Sequence, residues 1–222
     1  MQNNQIDNFI TNIIQNKLTY LSYPALINIK NNLLKTYNIN GIVIEAGCAL
    51  GGSSICIANY RNQEKIFNIY DVFGQIPPPS EKDNSDVHER YNIIKNHQST
   101  GIRGDTYYGY IDNLLNCVKQ NFIKFDINMN NINFIEGLYE DTLQINEPVS
   151  FAHIDCDWYN SVQICLQQII PKLSLNGIVT IDDYNDWSGC RNAVNDYFQN
   201  IQQYFTFEII AGKLNIIKNI EY

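Results

Sequence analysis

Alternation between short apolar segments and helical stretches constrains the fold of this chain more than any other feature. The first segment is rich in β-branched residues, "GGSSICIANY" begins a helix after it, and further helical stretches lie at about 107–120, 159–170 and 188–199. Apolar strands without a polar face indicate a parallel sheet covered by helices on both sides. The five predicted strands are "GIVIEAG", "KIFNIYDVF", "INFIEG", "VSFAHIDCD" and "GIVTIDDY".

The two ends of the chain depart from this alternation. Residues 1–38 predict two amphipathic helices, the first on Ile6, Phe9 and Ile10, and the second beginning at Pro24. Near the C-terminus, "YFTFEII", the turn "AG" and "KLNIIKN" predict an antiparallel hairpin. We therefore expect one α/β domain over residues 1–222, with a mostly parallel seven-stranded sheet that ends in an antiparallel hairpin.

The segment 73–106 interrupts the predicted order of strands and helices. It contains "PPP", a charged stretch and the aromatic-rich "GIRGDTYYGY". Long irregular segments in compact domains are typically lids, binding loops or disordered. Because tyrosines are costly to leave in water, we expect a lid.

Composition excludes several classes of partner. The chain has 23 acidic and 15 basic residues and a net charge of −8, which argues against a nucleic-acid ligand. No apolar run approaches the ~20 residues that span a bilayer, and the N-terminus lacks signal-peptide features. We expect a cytoplasmic protein with six reduced cysteines, and the apolar N-terminal helices could form a homo-oligomer contact.

Small residues after the first strand and an acid after the second predict a nucleoside site. Small residues let the backbone approach a ligand, and a helix N-terminus offers free N–H donors. Asp71 could accept the two hydroxyls of a ribose. A tight structural turn beside a solvated acid is the alternative. The residues in question are Glu45, Gly47, Ala49, Gly52, Ser53 and Asp71.

The details of this loop favour S-adenosylmethionine over NAD. The spacing Gly47-x-Ala49-x-x-Gly52 is an imperfect dinucleotide fingerprint, since glycine is expected at the position of Ala49. Glu45 would suit a ligand ammonium and Ser53 a ligand carboxylate. A dehydrogenase would also need no metal, whereas further along the chain the sequence predicts one.

Four aspartates follow two neighbouring strands. Asp155 and Asp157 end one strand, and Asp182 and Asp183 end the next. Four such carboxylates would repel one another without a cation or protons. Oxygen ligands favour Mg²⁺, then Mn²⁺ or Ca²⁺. Asp182 and Asp183 can share an ion only if the strand has already ended. A solvated acidic patch is the alternative.

These motifs together resemble the metal-dependent class I O-methyltransferases, specifically the macrocin-type sugar O-methyltransferases. The most specific part is the pair "D-x-D-x-Y" and "G-x-x-x-x-D-D-Y", 27 residues apart. The resemblance covers about residues 40–200. The other matching stretches are "VIEAGCALGGSS", "YDVFG", "FIEGLYEDTL", "PKLSLNGIVTIDDY" and "GCRNAVNDYF".

The resemblance implies a Rossmann-like class I methyltransferase fold and a reaction. A methyl group would pass from S-adenosylmethionine to a hydroxyl of a sugar in a glycosylated natural product or polysaccharide metabolite, an acceptor with vicinal hydroxyls. Asp155, Asp182 and Asp183 would bind Mg²⁺, or Mn²⁺, and Asp157 would be the general base. The cofactor contacts would be Glu45, Gly47, Ala49, Gly52, Ser53, Asp71, Gly137, Leu138 and Asp155.

Other interpretations stay open from the sequence alone. The acceptor could be a catechol or another vicinal diol, or the chain could be a non-catalytic nucleotide- or metal-binding module. His88 and His97 in the segment 73–106 are alternative bases, while His153 reads most simply as a core residue.

Overall fold

One seven-stranded sheet organises the computed structural model, which describes residues 6–221. The strand order is β3-β2-β1-β4-β5-β7-β6. β7 runs in the direction opposite to the other six strands, so its pairings with β5 and β6 are antiparallel and all other pairings are parallel. The strands are β1 (Ile42–Ala46), β2 (Phe67–Asp71), β3 (Ile132–Glu136), β4 (Val149–Ile154), β5 (Leu173–Ile181), β6 (Phe205–Ile210) and β7 (Lys213–Lys218).

Eight α-helices connect these strands in the described residues. Short 3₁₀ helices also occur, at Ile102–Gly104, Tyr108–Tyr110, Ile170–Lys172 and Gln202–Tyr204. The α-helices are α1 (Asn8–Gln15), α2 (Tyr23–Lys35), α3 (Gly52–Tyr60), α4 (Ser85–Lys95), α5 (Leu114–Lys124), α6 (Tyr139–Thr142), α7 (Tyr159–Ile169) and α8 (Ser188–Phe198).

The sheet has an apolar core on each face, as a strand buried on both sides requires. On β1, Ile44 and Ala46 face the core under α7 and α8, whereas Val43 faces the core under α2, α3 and α5. Every residue of β1 and β4 is buried. The predicted seven-stranded α/β sheet with its C-terminal antiparallel hairpin is confirmed.

The chain reverses its direction of travel across the sheet between β1 and β4. From β1 it builds outward through β2 and β3, and it then returns to place β4 on the other side of β1. In open α/β sheets, ligands bind beyond the carboxyl ends of the strands at this switch point. The loops after β1 and β4 are therefore neighbours at the place where a ligand site is expected.

A row of polar side chains crosses the middle of the sheet. The four residues lie opposite one another in register on adjacent strands, and each is at most 1% exposed. Helix α2 covers the end of this row on β7, where the side-chain amides of Asn28 and Asn32 donate to Oδ1 of Asn215. We call this set the polar row: Glu45, His153, Thr180 and Asn215.

Two predicted segments differ from the structure. A helix was expected at about 107–120, but Tyr108–Tyr110 is a 3₁₀ turn and α5 begins only at Leu114, after Asn113 adopts a left-handed backbone with φ of 55°. The segment 73–106, expected to be irregular, contains the eleven-residue helix α4. Its charged residues hid this helix, because only Val87 and Ile94 of α4 are buried.

The N-terminal helices form where the sequence predicted them. Asp7 caps α1 by accepting from the N–H groups of Phe9 and Ile10, and Ser22 caps α2. No helix within residues 6–221 combines the length and the apolar character that crossing a bilayer demands.

Candidate active site

A cavity of about 340 Å³ opens at the carboxyl edge of the sheet, at the switch point. A smaller cavity of about 40 Å³ adjoins it. Five residues line both cavities, so the two are parts of one site. These shared residues are Gly47, Asp71, Tyr108, Asp155 and Asp157.

The loop after β1 lies against the loop after β4. Gly47 has a φ of 90°, and a Cβ there would lie 1.8 Å from the carbonyl oxygen of Asp155. Only glycine fits such a close approach of two backbones. Ala49 also has positive φ (44°) and lines the larger cavity together with Ser53.

Gly52 serves a different contact from the one expected. Its N–H donates to the carbonyl oxygen of Leu18, 2.9 Å away, and a Cβ on Gly52 would lie 2.3 Å from that oxygen. The glycine therefore holds the segment between α1 and α2 against the loop after β1. Residues 18–21 line the larger cavity as a result, which no sequence motif indicated.

Asp71 at the end of β2 braces the loop after β1. Its Oδ2 accepts from the N–H groups of Cys48 (2.7 Å) and Ala49 (3.3 Å), and its Oδ1 accepts from Phe73 (2.7 Å). Burial raises the pKa of Asp71, and these backbone hydrogen bonds offset part of the rise. Each carboxylate oxygen can accept more than one hydrogen bond, so a ribose hydroxyl can still bind there.

Glu45 is not placed as the sequence suggested. It lies within β1, is 0% exposed and lines neither cavity. Its Oε2 accepts from the hydroxyl of Ser54, and its Oε1 lies 2.9 Å from Nδ1 of His153. The structure therefore brings Glu45 to His153 and not to the ligand cavity.

Leu138 lines the smaller cavity together with Tyr139. Gly137 stands behind it with a φ of 143°, and its N–H donates to the carbonyl oxygen of Asp71. The loop after β3 thus closes the end of the site that the sequence assigned to the cofactor.

The four aspartates lie together at the ends of β4 and β5. Because β5 ends at Ile181, both Asp182 and Asp183 lie beyond the strand, and both line the larger cavity with Asp155 and Asp157. The N–H of Asp157 donates to Oδ2 of Asp183 at 3.3 Å.

These carboxylates differ in how their charge is compensated. Burial and the charges of Asp182 and Asp183 raise the pKa of Asp155 well above its usual range. Burial and the charges of Asp157 and Asp182 do the same for Asp183. Burial and Asp182 raise the pKa of Asp157 to about 6, although Arg90 opposes the rise.

Within the described residues, Asp182 is the one carboxylate of the four with basic side chains less than 4 Å away. Its Oδ2 lies 2.8 Å from the ammonium of Lys213, and its Oδ1 lies 3.8 Å from Nε2 of His153. Burial alone would raise the pKa of Asp182, but His153 and Lys213 lower it. The Oδ1 of Asp182 and the Nε2 of His153 are both buried without a hydrogen-bond partner.

A divalent cation fits this cluster. Within the described residues, potential ligand atoms lie within 4.8 Å of one another in two groups, and Asp182 belongs to both. One group adds His153 and Asp155, and the other adds Asp183 and Asp186. The unpartnered Oδ1 of Asp182 and the mutual repulsion among Asp155, Asp182 and Asp183 are what a cation would satisfy.

A family model that covers most of the chain, including the four aspartates, assigns it to a known group of proteins. The model of the macrocin O-methyltransferase (TylF) family matches residues 26–207. The chain belongs to this family. The resemblance of the acidic motifs to macrocin-type O-methyltransferases is thereby confirmed.

Relatives and solved structures agree with this family. The 8-demethyl-8-(2,3-dimethoxy-alpha-L-rhamnosyl)-tetracenomycin-C 4'-O-methyltransferase of Streptomyces olivaceus is 28% identical over 167 residues, which are 72% of this chain and 58% of the relative. The chain thus spans less than two thirds of that relative's length.

Among solved structures, the O-methyltransferase NovP is 21% identical with a TM-score of 0.76, covering 92% of this chain and 83% of NovP. An O-methyltransferase from Bacillus cereus in complex with SAH is 12% identical with a TM-score of 0.58, covering 98% of this chain and 94% of that one. These similarities confirm the class I methyltransferase fold.

In this macrocin-family chain the segment 73–106 is attached to both acidic loops. Oδ1 of Asp83 accepts from the N–H of Tyr159 (2.8 Å), at the start of α7. Asp86 accepts from the N–H and hydroxyl of Ser188, at the start of α8. Each aspartate therefore caps a helix that follows one of the acidic motifs.

Several cavity residues were missed from the sequence. Lys213, Asp186 and Arg90 line the larger cavity, as does Tyr107. Asp186 could have been recognised as a cavity residue because it belongs to the acidic run "DDYND", and Tyr107 because it belongs to the aromatic-rich "GIRGDTYYGY". By contrast, His88 and His97 are exposed and line neither cavity, so the structure gives them no contact with the acids.

Proposed function

We propose that this chain is an S-adenosylmethionine- and Mg²⁺-dependent O-methyltransferase that methylates a sugar hydroxyl of a glycosylated metabolite. The observation that carries the proposal is the shared lining of the two cavities. Gly47 and Asp71 of the cofactor loops and Asp155 and Asp157 of the acid cluster face the same space. A cofactor and a metal-bound acceptor would therefore meet there.

The smaller cavity is the proposed adenosyl site. Asp71 would bind the ribose, and Leu138 and Tyr139 would border the base. The methionine end would reach Gly47 and Ser53 in the larger cavity, at the N-terminus of α3, where free N–H groups favour a carboxylate. The SAH complex of the Bacillus cereus O-methyltransferase supports this assignment through the shared fold.

The larger cavity is the proposed acceptor site. Asp155, Asp182 and Asp183 would hold the cation, which supplies a lowered pKa for the acceptor hydroxyl that contacts it. Trp158 and Trp187, whose ring centroids lie 5.7 Å apart, both line this cavity and offer apolar walls to a sugar ring.

Asp157 is the proposed general base. Its backbone has a φ of 56°, which turns this residue out of the line of β4, and its side chain lines both cavities. Asp157 would take the proton of the acceptor hydroxyl while the oxygen bonds to the sulfonium methyl and the carbon–sulfur bond breaks. The products are a methyl ether, S-adenosylhomocysteine and a protonated carboxyl.

The nature of the acceptor rests on the relatives. The Streptomyces olivaceus relative is named for the methylation of a rhamnosyl group, which favours a sugar. A catechol or another vicinal diol would bind a cation in the same way and is the second candidate. A binding module without catalysis would bind SAH and show no turnover.

Replacing Asp157 tests this function. We expect Asp157→Asn to lower kcat by about 10²- to 10⁴-fold, because an amide cannot take the proton, while SAH still binds. Methyl transfer would be followed with labelled S-adenosylmethionine, with methyl α-L-rhamnoside and catechol as acceptors, and SAH binding by calorimetry.

Asp126→Asn is the matched control, since Asp126 is exposed and shares the left-handed backbone (φ 53°). Turnover by Asp157→Asn at the wild-type rate would contradict the role of Asp157. Absence of both SAH binding and turnover in the wild-type protein would contradict the function itself.

A further inference from the structure

Glu45 and His153 form a buried pair whose contacts lead to the acid cluster. They are register partners on β1 and β4, and both are 0% exposed. A carboxylate only accepts hydrogen bonds, so Nδ1 of His153 donates to Oε1 of Glu45 over 2.9 Å. This bond fixes the plane of the imidazole ring.

The other ring nitrogen is aimed at Asp182. Nε2 of His153 lies 3.8 Å from Oδ1 of Asp182, and neither of these buried atoms has a hydrogen-bond partner. Oδ2 of the same carboxylate is held by Lys213 at 2.8 Å. The carboxylate of Asp182 therefore lies between the imidazole of His153 on β4 and the ammonium of Lys213 on β7.

We propose that Glu45 and His153 act as a positioning pair that orients the carboxylate of Asp182 toward the cation site. The proposal rests on the proposed function, since it assigns a role toward the same cation. Without the ring on Oδ1, Lys213 would be free to draw the carboxylate toward Asp186, its second partner. The pair thus opposes the pull of Lys213 on the shared ligand.

This role replaces the contact with the cofactor's ammonium that the sequence suggested for Glu45. Both carboxylate oxygens are engaged, by Ser54 and His153, and Glu45 lines neither cavity. Partners of this kind, one step removed from the metal, typically change metal affinity 10- to 100-fold when they are lost.

The test measures Mn²⁺ and SAH binding separately. Mn²⁺ binding to the protein without SAH would be followed by electron paramagnetic resonance, and SAH binding by calorimetry in EDTA. We expect Glu45→Gln to weaken Mn²⁺ binding by about 10- to 100-fold and to leave the SAH affinity unchanged. If wild-type protein binds Mn²⁺ but not SAH, the proposed function fails while this inference is still tested.

Two histidine variants distinguish orientation from simple packing. The amide nitrogen of His153→Gln can reach toward Asp182, as Nε2 does, whereas that of His153→Asn reaches only toward Glu45. We expect His153→Gln to retain more of the Mn²⁺ affinity than His153→Asn. Equal losses in the two variants would overturn the proposal.

Two controls separate an effect on metal binding from an effect on fold stability and from an effect on SAH binding. Ser54→Ala removes a buried hydrogen bond from the same carboxylate but leaves the contact with His153, so it should lower the Tm without changing Mn²⁺ binding. Asp71→Asn should weaken SAH and leave Mn²⁺ binding unchanged. If Glu45→Gln instead weakened SAH in EDTA, or lowered only the Tm, the pair would not be positioning Asp182.

One spectroscopic measurement needs no variant. If His153 were a direct ligand, pulsed resonance of the Mn²⁺-loaded wild-type protein would show the hyperfine coupling of a coordinated nitrogen. We expect no such coupling, because the proposed ligands are carboxylates, and its detection would overturn the positioning role.

Discussion

At the scale of single residues, the ammonium of Lys213 lies within the acid cluster and pairs with two of its carboxylates. Lys213 lies 2.8 Å from Asp182 and 3.1 Å from Asp186, and its side chain is 14% exposed. Burial lowers the pKa of the ammonium, but these two carboxylates raise it above its ordinary value. Lys213 thus offsets part of the repulsion among the aspartates, which a bound divalent cation would otherwise have to offset alone.

Removing this ammonium should make the fold more dependent on metal. We expect Lys213→Met to lower stability in EDTA by about 1–3 kcal/mol, because Asp182 loses a charged hydrogen-bond partner in a largely buried site. Mg²⁺ should then raise the Tm of the variant more than that of the wild type. Thermal denaturation with EDTA and with Mg²⁺ measures both effects.

Lys17→Met is the matched control, since Lys17 pairs with Asp105 at 2.8 Å on the surface. Exposed pairs contribute about 0–1 kcal/mol. Loss of stability in the control as large as that in Lys213→Met, or no loss in either, would contradict the argument.

Residues next to strand ends were predictable, and their distant partners were not. Asp155, Asp157, Asp182 and Asp183 stand beside apolar strands, so local pattern alone placed them at one edge of the sheet. Lys213 lies 31 residues beyond Asp182 and meets it only because β7 pairs antiparallel with β5. Glu45 sits inside β1, which ends at Ala46, and its contact with His153 on β4 depends on strand pairing that no local motif shows.

At the scale of helices and strands, Asp7 joins three helices. Its Oδ1 caps α1, and its Oδ2 accepts from Lys30 of α2 (2.6 Å) and Tyr60 of α3 (2.5 Å). Burial would raise the pKa of Asp7, but the hydrogen bonds from Lys30 and Tyr60 outweigh it and the pKa is lowered from 3.8. The ionised form is therefore the one that the folded state stabilises.

This shift predicts how stability depends on pH. A lowered folded-state pKa contributes stability above pH 3.8, and the contribution disappears as the pH falls through 3.8 and the folded-state value. We expect Asp7→Asn, which can still cap α1, to cost about 1–3 kcal/mol at pH 7 and progressively less below pH 3.8. Urea denaturation at several pH values measures the difference.

The exposed Asp112 provides the comparison. Asp112→Asn should change stability little at any pH in that series, because surface changes away from special contacts lie within about 0.5 kcal/mol. A cost for Asp7→Asn that stays constant below pH 3.8 would argue against the charge of Asp7 as its cause.

The positions of the strands were recognisable from their apolar residues, but their ends were less so. β5 begins at Leu173, four residues before the start of the predicted strand, and β4 ends at Ile154, three residues before the end of the predicted one. By contrast, α4 buries only two residues and presents charge elsewhere, so its periodicity was too weak to read. The late start of α5 depends on the left-handed backbone of Asn113, which sequence patterns do not reveal.

At the scale of the whole molecule, the segment 73–106 connects the acid cluster to two helix N-termini. Asp83 caps α7, Asp86 caps α8, and Nε1 of Trp158 donates to the carbonyl oxygen of Pro77 at 3.0 Å. Arg90 within this segment and Tyr107 directly after it line the larger cavity. A lid was expected here, and this attachment makes its position depend on the acidic loops.

Loosening the attachment should expose the segment. We expect Asp83→Ala to raise hydrogen exchange in residues 77–95 and at the start of α7, and to lower kcat/KM through poorer exclusion of water. The lost helix cap should cost about 0.5–2 kcal/mol. Hydrogen exchange followed by mass spectrometry measures the local effect.

Glu81→Ala is the control within the same segment, because Glu81 is exposed. Its exchange pattern should match that of the wild type. Were Asp83→Ala to leave exchange in this segment unchanged, the segment would be held by its other contacts and the aspartate cap would not control it.

The polar row has a consequence for how the chain finds its pairing during folding. Four strands meet there through Glu45, His153, Thr180 and Asn215, and a slip of one residue would turn each of these groups into an apolar core on the opposite face. Mispaired sheets would therefore bury several polar groups without partners, at a cost of a few kcal/mol each. Apolar residues at these positions would remove that penalty, so the row discriminates the native register against its nearest competitors.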